Sequence, residues 1–349
     1  MNVHPGGETQ RGPQVAHRRI GMRDVAKAAG VSSQTVSKVV RGLPGVSTDT
    51  RTRIMGIMRD LGFQPNVWAR ALKTGHASSI GVICDELPRP GPSLVIYGVE
   101  SAARQAGYYS TVAGLPRPTP DLLQQAVEQL LSLSVAGIVV NVAMSSETGV
   151  LDQLRSDVPL VAVWAPTDTR LPVATYDHRS AAARATRHLL EMGHTTVHHL
   201  AGMHNQFGTD QRVAGWREAL TQAGAPVPDV LYGNWDSRSG YALGKRLADD
   251  RSVTAVFAAN DYMALGVIRA LKEAGRSVPA DVSVMGYDNA PESAFFDPPL
   301  TTVSQDFPAL GARAFAILAA QLGIDGKGSS QPYLPEQELI VRASTAPPP

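Results

Sequence analysis

Several polar and aromatic side chains in the second half of the 349-residue chain have types suited to binding a small hydroxylated molecule. Arg212 and Asp288 could each pair with adjacent hydroxyl groups in a fork, and the Asn260 amide could both donate and accept. The indole of Trp235 could cover an apolar ring face. Each residue also has a simpler explanation, because an asparagine can cap a helix, an aspartate can close a turn and a tryptophan usually packs in a core. Together they indicate a saccharide site.

The elements predicted around these residues would bring them together. Short apolar runs predict strands at 80–84, 110–114, 137–142, 160–164 and 173–176, then at 197–201, 230–232, 255–259, 282–287 and 301–303. Helical patterns alternate with them, which predicts parallel, doubly wound sheets in two Rossmann-like lobes. Ligands bind such sheets beyond the carboxyl ends of the strands. We therefore expect one ligand site formed by Ser93, Asn141, Trp164, Arg212, Trp235, Asn260, Asp288 and Gln305.

The first 64 residues have a different pattern. Met22, Val25, Ala26 and Ala29 follow the spacing of a helix with one buried face, and Gly30 ends it. Ser32 can cap a second helix, and Ser47 can cap a third that ends at Gly62. Two short helices joined at a glycine, with a third across them, predict a helix-turn-helix within residues 21–64.

In a helix-turn-helix the second helix enters the major groove of DNA. The outward positions of that helix are Ser33, Gln34, Ser37, Lys38 and Arg41, and glutamine, lysine and arginine are side chains that read base edges. Thr35, Ser47 and Arg51 are expected to contact phosphates. The alternative is a three-helix bundle that contacts another protein.

Charge favours DNA as the partner. Residues 1–76 hold 12 Lys and Arg against 4 Asp and Glu, whereas the whole chain has a net charge of only +1. The head therefore carries +8 and the remainder −7, which is typical of a basic domain that meets a polyanion.

Residues 65–77 predict a short hinge helix and linker, in which Asn66 follows a proline and can cap the helix. Eight residues are too few to hold a helix alone, so it should form only against a partner. Asn66, Ala69 and Leu72 are expected to face the minor groove, where a leucine can wedge a base step. The alternative is an ordinary linker with an exposed leucine.

Composition excludes several classes of protein. Cys84 is the single cysteine, so a disulfide framework and a cysteine-built zinc site are excluded. No apolar run reaches the roughly 18–20 residues of a membrane helix, and the start of the chain lacks a secretory h-region, so we expect a cytoplasmic protein. No catalytic or phosphate-binding motif occurs, and the His194, His198 and His199 cluster lacks further ligands at metal-binding spacing. We expect neither an enzyme, nor a metal site, nor a cofactor.

The segment MRDVAKAAGVSSQTVSKVV, followed by VSTDTRTRIMGIMRDLGFQPNVWARALKTG, resembles the DNA-binding head and hinge of lactose/galactose-repressor (LacI/GalR) family regulators. The likeness continues in LAGMHNQFGTDQRVAGW, AANDYMALG, VSVMGYDNAPESAFFDPPLTTVSQDF and ALGARAFAIL, and covers about residues 21–343. It implies a dimeric, effector-controlled transcription regulator with a body like a periplasmic sugar-binding protein. The resemblance also implies that Arg212 and Asp288 contact effector hydroxyls and that Trp235 supplies the aromatic ring at the effector site.

The sequence departs from the family pattern in two places. Trp164 stands where sugar-binding relatives often have an acidic or polar residue, which indicates either a second stacking ring or a different ligand. Ser33 occupies a base-reading position that often carries a larger side chain, so the operator is not transferable from a relative. The chain end shows no heptad helix of the kind that makes tetramers, which favours a homodimer.

The resulting prediction is a repressor of carbohydrate-utilisation genes that leaves a palindromic operator when a sugar binds between its lobes. The alternatives are a purine-like or other corepressor ligand in the same architecture, or a solute-binding transport protein. The predicted domains are a disordered tail at 1–20, a head at 21–64, a hinge at 65–77, a two-lobed body at 78–343 and a tail at 344–349. Within the body the first lobe takes 78–176 and 307–334, and the second takes 177–306 and 335–343.

Overall fold

The computed structural model describes residues 20–40, 43–63, 79–85, 87–116, 118–143, 149–324 and 335–349. The chain divides into two compact units, residues 1–76 and residues 77–349. The predicted tail at 1–20, apart from Ile20, and the predicted hinge at 65–77 lie outside the described residues. Among the helices in these ranges, none combines the length and the apolar character that a membrane span requires.

The first unit has the predicted helix-turn-helix. Its described helices are α1 (Met22–Ala29), α2 (Ser33–Val40) and α3 (Thr48–Asp60). Gly30 ends α1 in the left-handed conformation, at φ 62°, which glycine adopts without steric cost. The Thr35 amide donates to Ser32 Oγ at 3.1 Å, so Ser32 caps α2 as expected. Val25, Val36 and Ile54 are fully buried and join the three helices.

The second unit contains two sheets. The first has five parallel strands in the order β2-β1-β3-β4-β5, formed by β1 (Ser79–Asp85), β2 (Tyr109–Leu115), β3 (Ile138–Asn141), β4 (Leu160–Val163) and β5 (Val173–Ala174). The second has the order β11-β10-β9-β8-β6-β7, formed by β6 (His198–Ala201), β7 (Leu231–Tyr232), β8 (Ala255–Ala258), β9 (Ser283–Asp288), β10 (Thr301–Ser304) and β11 (Leu339–Ile340). Only β11 runs antiparallel to its neighbour among these described strands. The expected two α/β lobes are confirmed.

Helices cover both sheets. They are α4 (Pro90–Gln105), α5 (Pro120–Ser132), α6 (Val150–Gln153), α7 (His178–Glu191), α8 (Phe207–Gln222), α9 (Ser237–Ala248), α10 (Asp261–Glu273) and α11 (Phe307–Gln321), with a 3-10 helix at Pro291–Phe295. Helix α11 follows β10 of the second sheet, yet its Leu310 and Leu318 belong to the core of the first sheet. The chain therefore crosses between the lobes before α7 and again before α11. The second crossing, at Gln305 and Asp306, lines the cavity described below.

The end of the chain differs from the prediction of a tail starting at 344. Ser344 is fully buried; its hydroxyl donates to the Val284 carbonyl at 2.6 Å and accepts from the Thr301 amide at 2.8 Å. The Ala346 amide donates to Ser283 Oγ at 2.9 Å. The prediction was wrong here because small polar residues before prolines show no helical or strand periodicity in the sequence. In the folded chain, this segment is held because backbone and hydroxyl groups of the second sheet need hydrogen-bond partners.

Candidate functional site

The cleft between the two lobes encloses a cavity of about 540 Å³. Parallel strands of both sheets end at its walls, as expected for open α/β sheets. Seven of the predicted ligand residues line it: Asn141, Trp164, Arg212, Trp235, Asn260, Asp288 and Gln305. Ser93 does not line it. The Ser93 hydroxyl donates to the Leu87 carbonyl instead, so this prediction is corrected.

Arg212 lies on α8 and is 95% buried, with 5% of its surface exposed. Its Nη1 donates to the Ala259 carbonyl at 2.7 Å, and its guanidinium carbon lies 4.0 Å from the Tyr287 ring centroid and 5.1 Å from that of Trp235. These contacts hold the planar group in one orientation. The buried Nε has no hydrogen-bond partner among the described residues. A cleft ligand can provide the acceptor.

Asp288 ends β9 and is held by Gln305, whose Nε2 donates to Asp288 Oδ1 at 2.5 Å. Burial raises the pKa of Asp288 to about 6, although the Arg212 charge and the Gln305 hydrogen bond act in the opposite direction. Asp288 has a φ of 106°, in a region that disfavours side chains. Such backbone strain is concentrated at functional sites, where the surrounding structure maintains it.

The two tryptophans occupy opposite lobes and both have left-handed backbones, at φ 59° for Trp164 and 70° for Trp235. Trp164 donates from Nε1 to Asn141 Oδ1 at 2.9 Å, and its ring stacks on His178 with centroids 5.6 Å apart. Trp235 donates from Nε1 to Gln206 Oε1 at 2.6 Å. Neither indole is free to rotate, so each gives the cleft a fixed apolar face.

Asn260 has the capping role that the sequence left open. Its Oδ1 accepts from the Met263 amide at 2.9 Å at the start of α10, and its Nδ2 donates to the Trp235 carbonyl at 3.0 Å. Its amide thus supports the loop that carries Trp235 while lining the cleft.

Sequence reasoning missed Leu94, Tyr262 and Phe307, which also line the cavity. Phe307 packs its ring edge against Trp164, with centroids 5.8 Å apart. The sequence feature that could have predicted Phe307 is its position two residues after Gln305, near the carboxyl end of a strand. Leu94 and Tyr262 lie inside helical patterns, where an apolar residue suggests only a helix core.

The buried Asp261 gives the second lobe a pH dependence. Burial, and secondarily the Asp288 charge, raises the pKa of Asp261 to about 8 even though Thr302 Oγ1 and the Ala290 amide donate to it. The unfolded chain loses this proton near pH 4. Between these values only the folded chain holds the proton, so the free energy of unfolding falls as pH rises.

We expect the free energy of unfolding in urea to fall by about 1 kcal/mol between about pH 7 and 8 and to level off by about pH 9. The buried histidines have lowered pKa values and act with the opposite sign, but mainly below their ordinary pKa near 6.5. Asp261→Asn should remove the slope, and Asp297→Asn, at a side chain that is 90% exposed, should keep it. A wild-type curve without slope in this interval would contradict the assignment.

The predicted DNA-contacting residues of the head are only partly within the described residues. Ser33, Gln34 and Lys38 are exposed on α2, and Thr35 and Ser37 are half-buried there. Ser47 is exposed and caps α3, because its Oγ accepts from the Thr50 amide at 3.4 Å; the same Oγ donates to Thr50 Oγ1 at 2.8 Å. Arg41, Asn66, Ala69 and Leu72 lie outside the described residues.

Arg51, which is predicted to contact a phosphate, makes hydrogen bonds within the head. Its guanidinium donates to the Leu43 carbonyl at 2.8 Å and to the Val39 carbonyl at 3.4 Å. It thereby joins α3 to the end of α2 and the following loop. The reason is that these carbonyls lack helical partners and need donors.

Comparison with known proteins decides the family. The model for "Bacterial regulatory proteins, lacI family" matches residues 21–66, and that for "Periplasmic binding protein-like domain" matches residues 186–345. The chain is 33% identical to the lactose operon repressor of Escherichia coli (strain K12) over 294 residues, which are 84% of this chain and 82% of that protein. The chain belongs to the lacI family of bacterial regulatory proteins.

Other relatives of this LacI-family chain agree. It is 33% identical to the HTH-type transcriptional repressor PurR of Pasteurella multocida (strain Pm70) over 330 residues, 93% of this chain and 98% of that one. Its structure is similar to that of the lac repressor dimer bound to operator and the anti-inducer ONPF, with a TM-score of 0.85, 31% identity and coverage of 94% and 100%. It is also similar to a transcriptional regulator CelR–cellobiose complex, with a TM-score of 0.66, 28% identity and coverage of 93% and 100%.

This LacI-family chain is therefore a DNA-binding transcriptional repressor. Its partners are operator DNA, a second copy of the chain and a small-molecule effector. The curated relatives are transcriptional repressors and not enzymes.

Proposed function

We propose that this repressor controls carbohydrate-utilisation genes as a homodimer and that a saccharide bound in the cleft releases it from a pseudo-palindromic operator. The observation that carries the proposal is the arrangement of the fixed Arg212 guanidinium and the Gln305-held Asp288 carboxylate beside Trp235. Paired charged groups suit vicinal hydroxyls, and an indole suits the apolar face of a sugar ring. No resident cofactor is needed for this function.

Release would follow from a shift in population between lobe arrangements. A ligand changes such an equilibrium only if it binds one arrangement more tightly. The lining of the cleft supports such a difference, because Trp164 and Phe307 approach it from the first lobe while Arg212, Trp235 and Asp288 approach it from the second. A ligand that contacts both walls therefore has an affinity that depends on the angle between the lobes. A change in that angle would alter the spacing of the two hinge segments and weaken their contact with DNA.

A planar purine-like corepressor is the second candidate. The aromatic rings of Trp164, Trp235 and Phe307 line the same cavity and could contact the faces or edges of a base. The similarity to PurR repressors over 93% of this chain supports the same alternative.

The test has two steps on the full chain. Thermal melting is followed with D-glucose, D-galactose, D-ribose, lactose, cellobiose, hypoxanthine and guanine, since a ligand at about 100 times its Kd adds about 2.7 kcal/mol of stability. Any compound that raises the Tm is then added to the complex with operator DNA selected from random sequence. A sugar that stabilises the protein and lowers operator affinity supports the proposal. A purine that strengthens operator binding would replace it with the corepressor alternative.

Asp288→Ala should abolish the Tm shift and the DNA release while operator binding without ligand persists. The reason is that the variant loses the acceptor for sugar hydroxyls but keeps the head intact. Asp297→Ala is the matched control, because this exposed carboxylate pairs with Lys272 away from the cleft. An unchanged ligand response in Asp288→Ala would remove this residue from the site.

A further inference from the structure

His178 is a buried polar residue that the proposed contacts with a sugar do not use. It is the first residue of α7, directly after the crossing between the lobes, and only 1% of its surface is exposed. Its ring stacks on Trp164 of the first lobe, and its Nδ1 lies 3.2 Å from the Tyr287 hydroxyl of the second. The buried Nε2 has no hydrogen-bond partner in the part of the chain that the structure describes.

The hydrogen bonds around Tyr287 determine which ring nitrogen of His178 carries the proton. Gln337 Nε2 donates to the Tyr287 oxygen at 2.6 Å, so the phenol proton is available to His178 Nδ1. Burial raises the pKa of Tyr287 to about 12 and holds the pKa of His178 well below its ordinary value, so both groups are neutral at pH 7. Nδ1 then accepts, and Nε2 is an N–H donor without an acceptor.

Gly208 leaves open the space next to this donor. It is the second residue of α8 and lines the cleft. A methyl group built on Gly208 would lie 4.0 Å from both His178 Nε2 and Arg212 Nη2, the two nearest atoms outside the helix backbone. The buried Arg212 Nε also lacks an acceptor within the described ranges. Donors from two different elements thus border a space that any side chain at position 208 would fill.

We propose that the space beside Gly208 is a subsite for an acceptor oxygen of the effector, bound by His178 Nε2–H and the Arg212 guanidinium. This inference rests on the proposed function, in which a small molecule occupies the cleft. Both protein partners donate, so the bound atom is an acceptor oxygen, which a sugar hydroxyl or the carbonyl of an oxo-purine supplies. An effector analogue with hydrogen or methyl at this point would leave buried donors unpaired, which is how a site discriminates strongly between similar ligands.

Gly208→Ala tests the subsite without disturbing the fold. The methyl group meets no atom closer than 4.0 Å, and alanine is the better helix former. We expect Kd for any sugar or oxo-purine of the panel that binds the wild-type chain to rise about tenfold or more. Gly56→Ala in α3 of the head, where a methyl group meets nothing within 4 Å, is the matched control and should keep the wild-type Kd.

The tautomer of His178 provides a readout that needs no ligand. In protein labelled with ¹⁵N-histidine, we expect the shifts of a neutral ring protonated at Nε2, with the assignment made by loss of the signal in His178→Gln. A ring protonated at Nδ1 would overturn the proposal whatever binds in the cleft.

The binding outcomes separate the subsite from the proposed function. Equal Kd values for Gly208→Ala and wild type would overturn the subsite and leave the proposed effector site standing. Binding of only an oxo-purine, weakened by Gly208→Ala, would support the subsite and overturn the saccharide proposal. If no compound of the panel binds the wild-type chain, both the subsite and the proposed function are overturned.

Discussion

Replacing Arg212 with lysine is expected to weaken effector binding about a hundredfold, because the replacement keeps the charge and removes the planar fork. The guanidinium is positioned by the Tyr287 ring, the Trp235 ring and the Ala259 carbonyl. An ammonium group at the end of a flexible stem has no plane to stack and cannot donate two parallel hydrogen bonds. Two lost hydrogen bonds to a charged group, at about 1.5 kcal/mol each, correspond to this factor.

The measurement is titration calorimetry with whichever panel compound stabilises the wild-type chain. Arg276→Lys is the matched control, since Arg276 is 4% exposed and donates to the Asp250 carbonyl at 2.9 Å outside the cleft. Both variants should lose thermal stability, but Arg276→Lys should keep its affinity for the compound. Equal affinity losses in the two variants would mean that Arg212 acts only through stability.

Val36→Asn is expected to reduce operator affinity about a thousandfold or more, to the level of non-specific binding. Val36 is fully buried on α2 and packs with Val25, Val39 and Ile54 in the small core of the head. The change removes apolar burial and leaves an amide without partners, which together cost several kcal/mol. A domain of this size has only about 2–6 kcal/mol of stability, so α2 loses its fixed position.

The test compares operator binding with the melting of the body. The first unit folds around its own core, so the effector-dependent Tm shift of residues 77–349 should persist. Met55→Asn is the matched control, because it introduces the same amide on the same head at a side chain that is 54% exposed. This variant should bind operator as the wild type does. Wild-type operator affinity in Val36→Asn would contradict the role given to this core.

Local spacing in the sequence determined much of the architecture. The helix-turn-helix follows from apolar periodicity and from Gly30, Ser32 and Ser47, each of which acts on backbone within a few residues. The two lobes follow from alternating strands and helices. Six of the seven cleft residues follow from one rule, that parallel strands present their carboxyl ends at the same edge, whereas Arg212 lies on α8. These inferences succeed because each depends on short-range chemistry or on topology that such chemistry fixes.

The tertiary structure alone decided what the side chains in those positions contact. Asn260 supports Trp235, Arg51 binds carbonyls of its own domain, and Ser344 joins the second sheet. His178 becomes a buried donor beside Gly208 only because Tyr287, 109 residues away, uses its Nδ1. Sequence spacing does not reveal such partners, because a buried polar group forms hydrogen bonds with any suitable group that folding places within about 3 Å of it, however distant in the sequence.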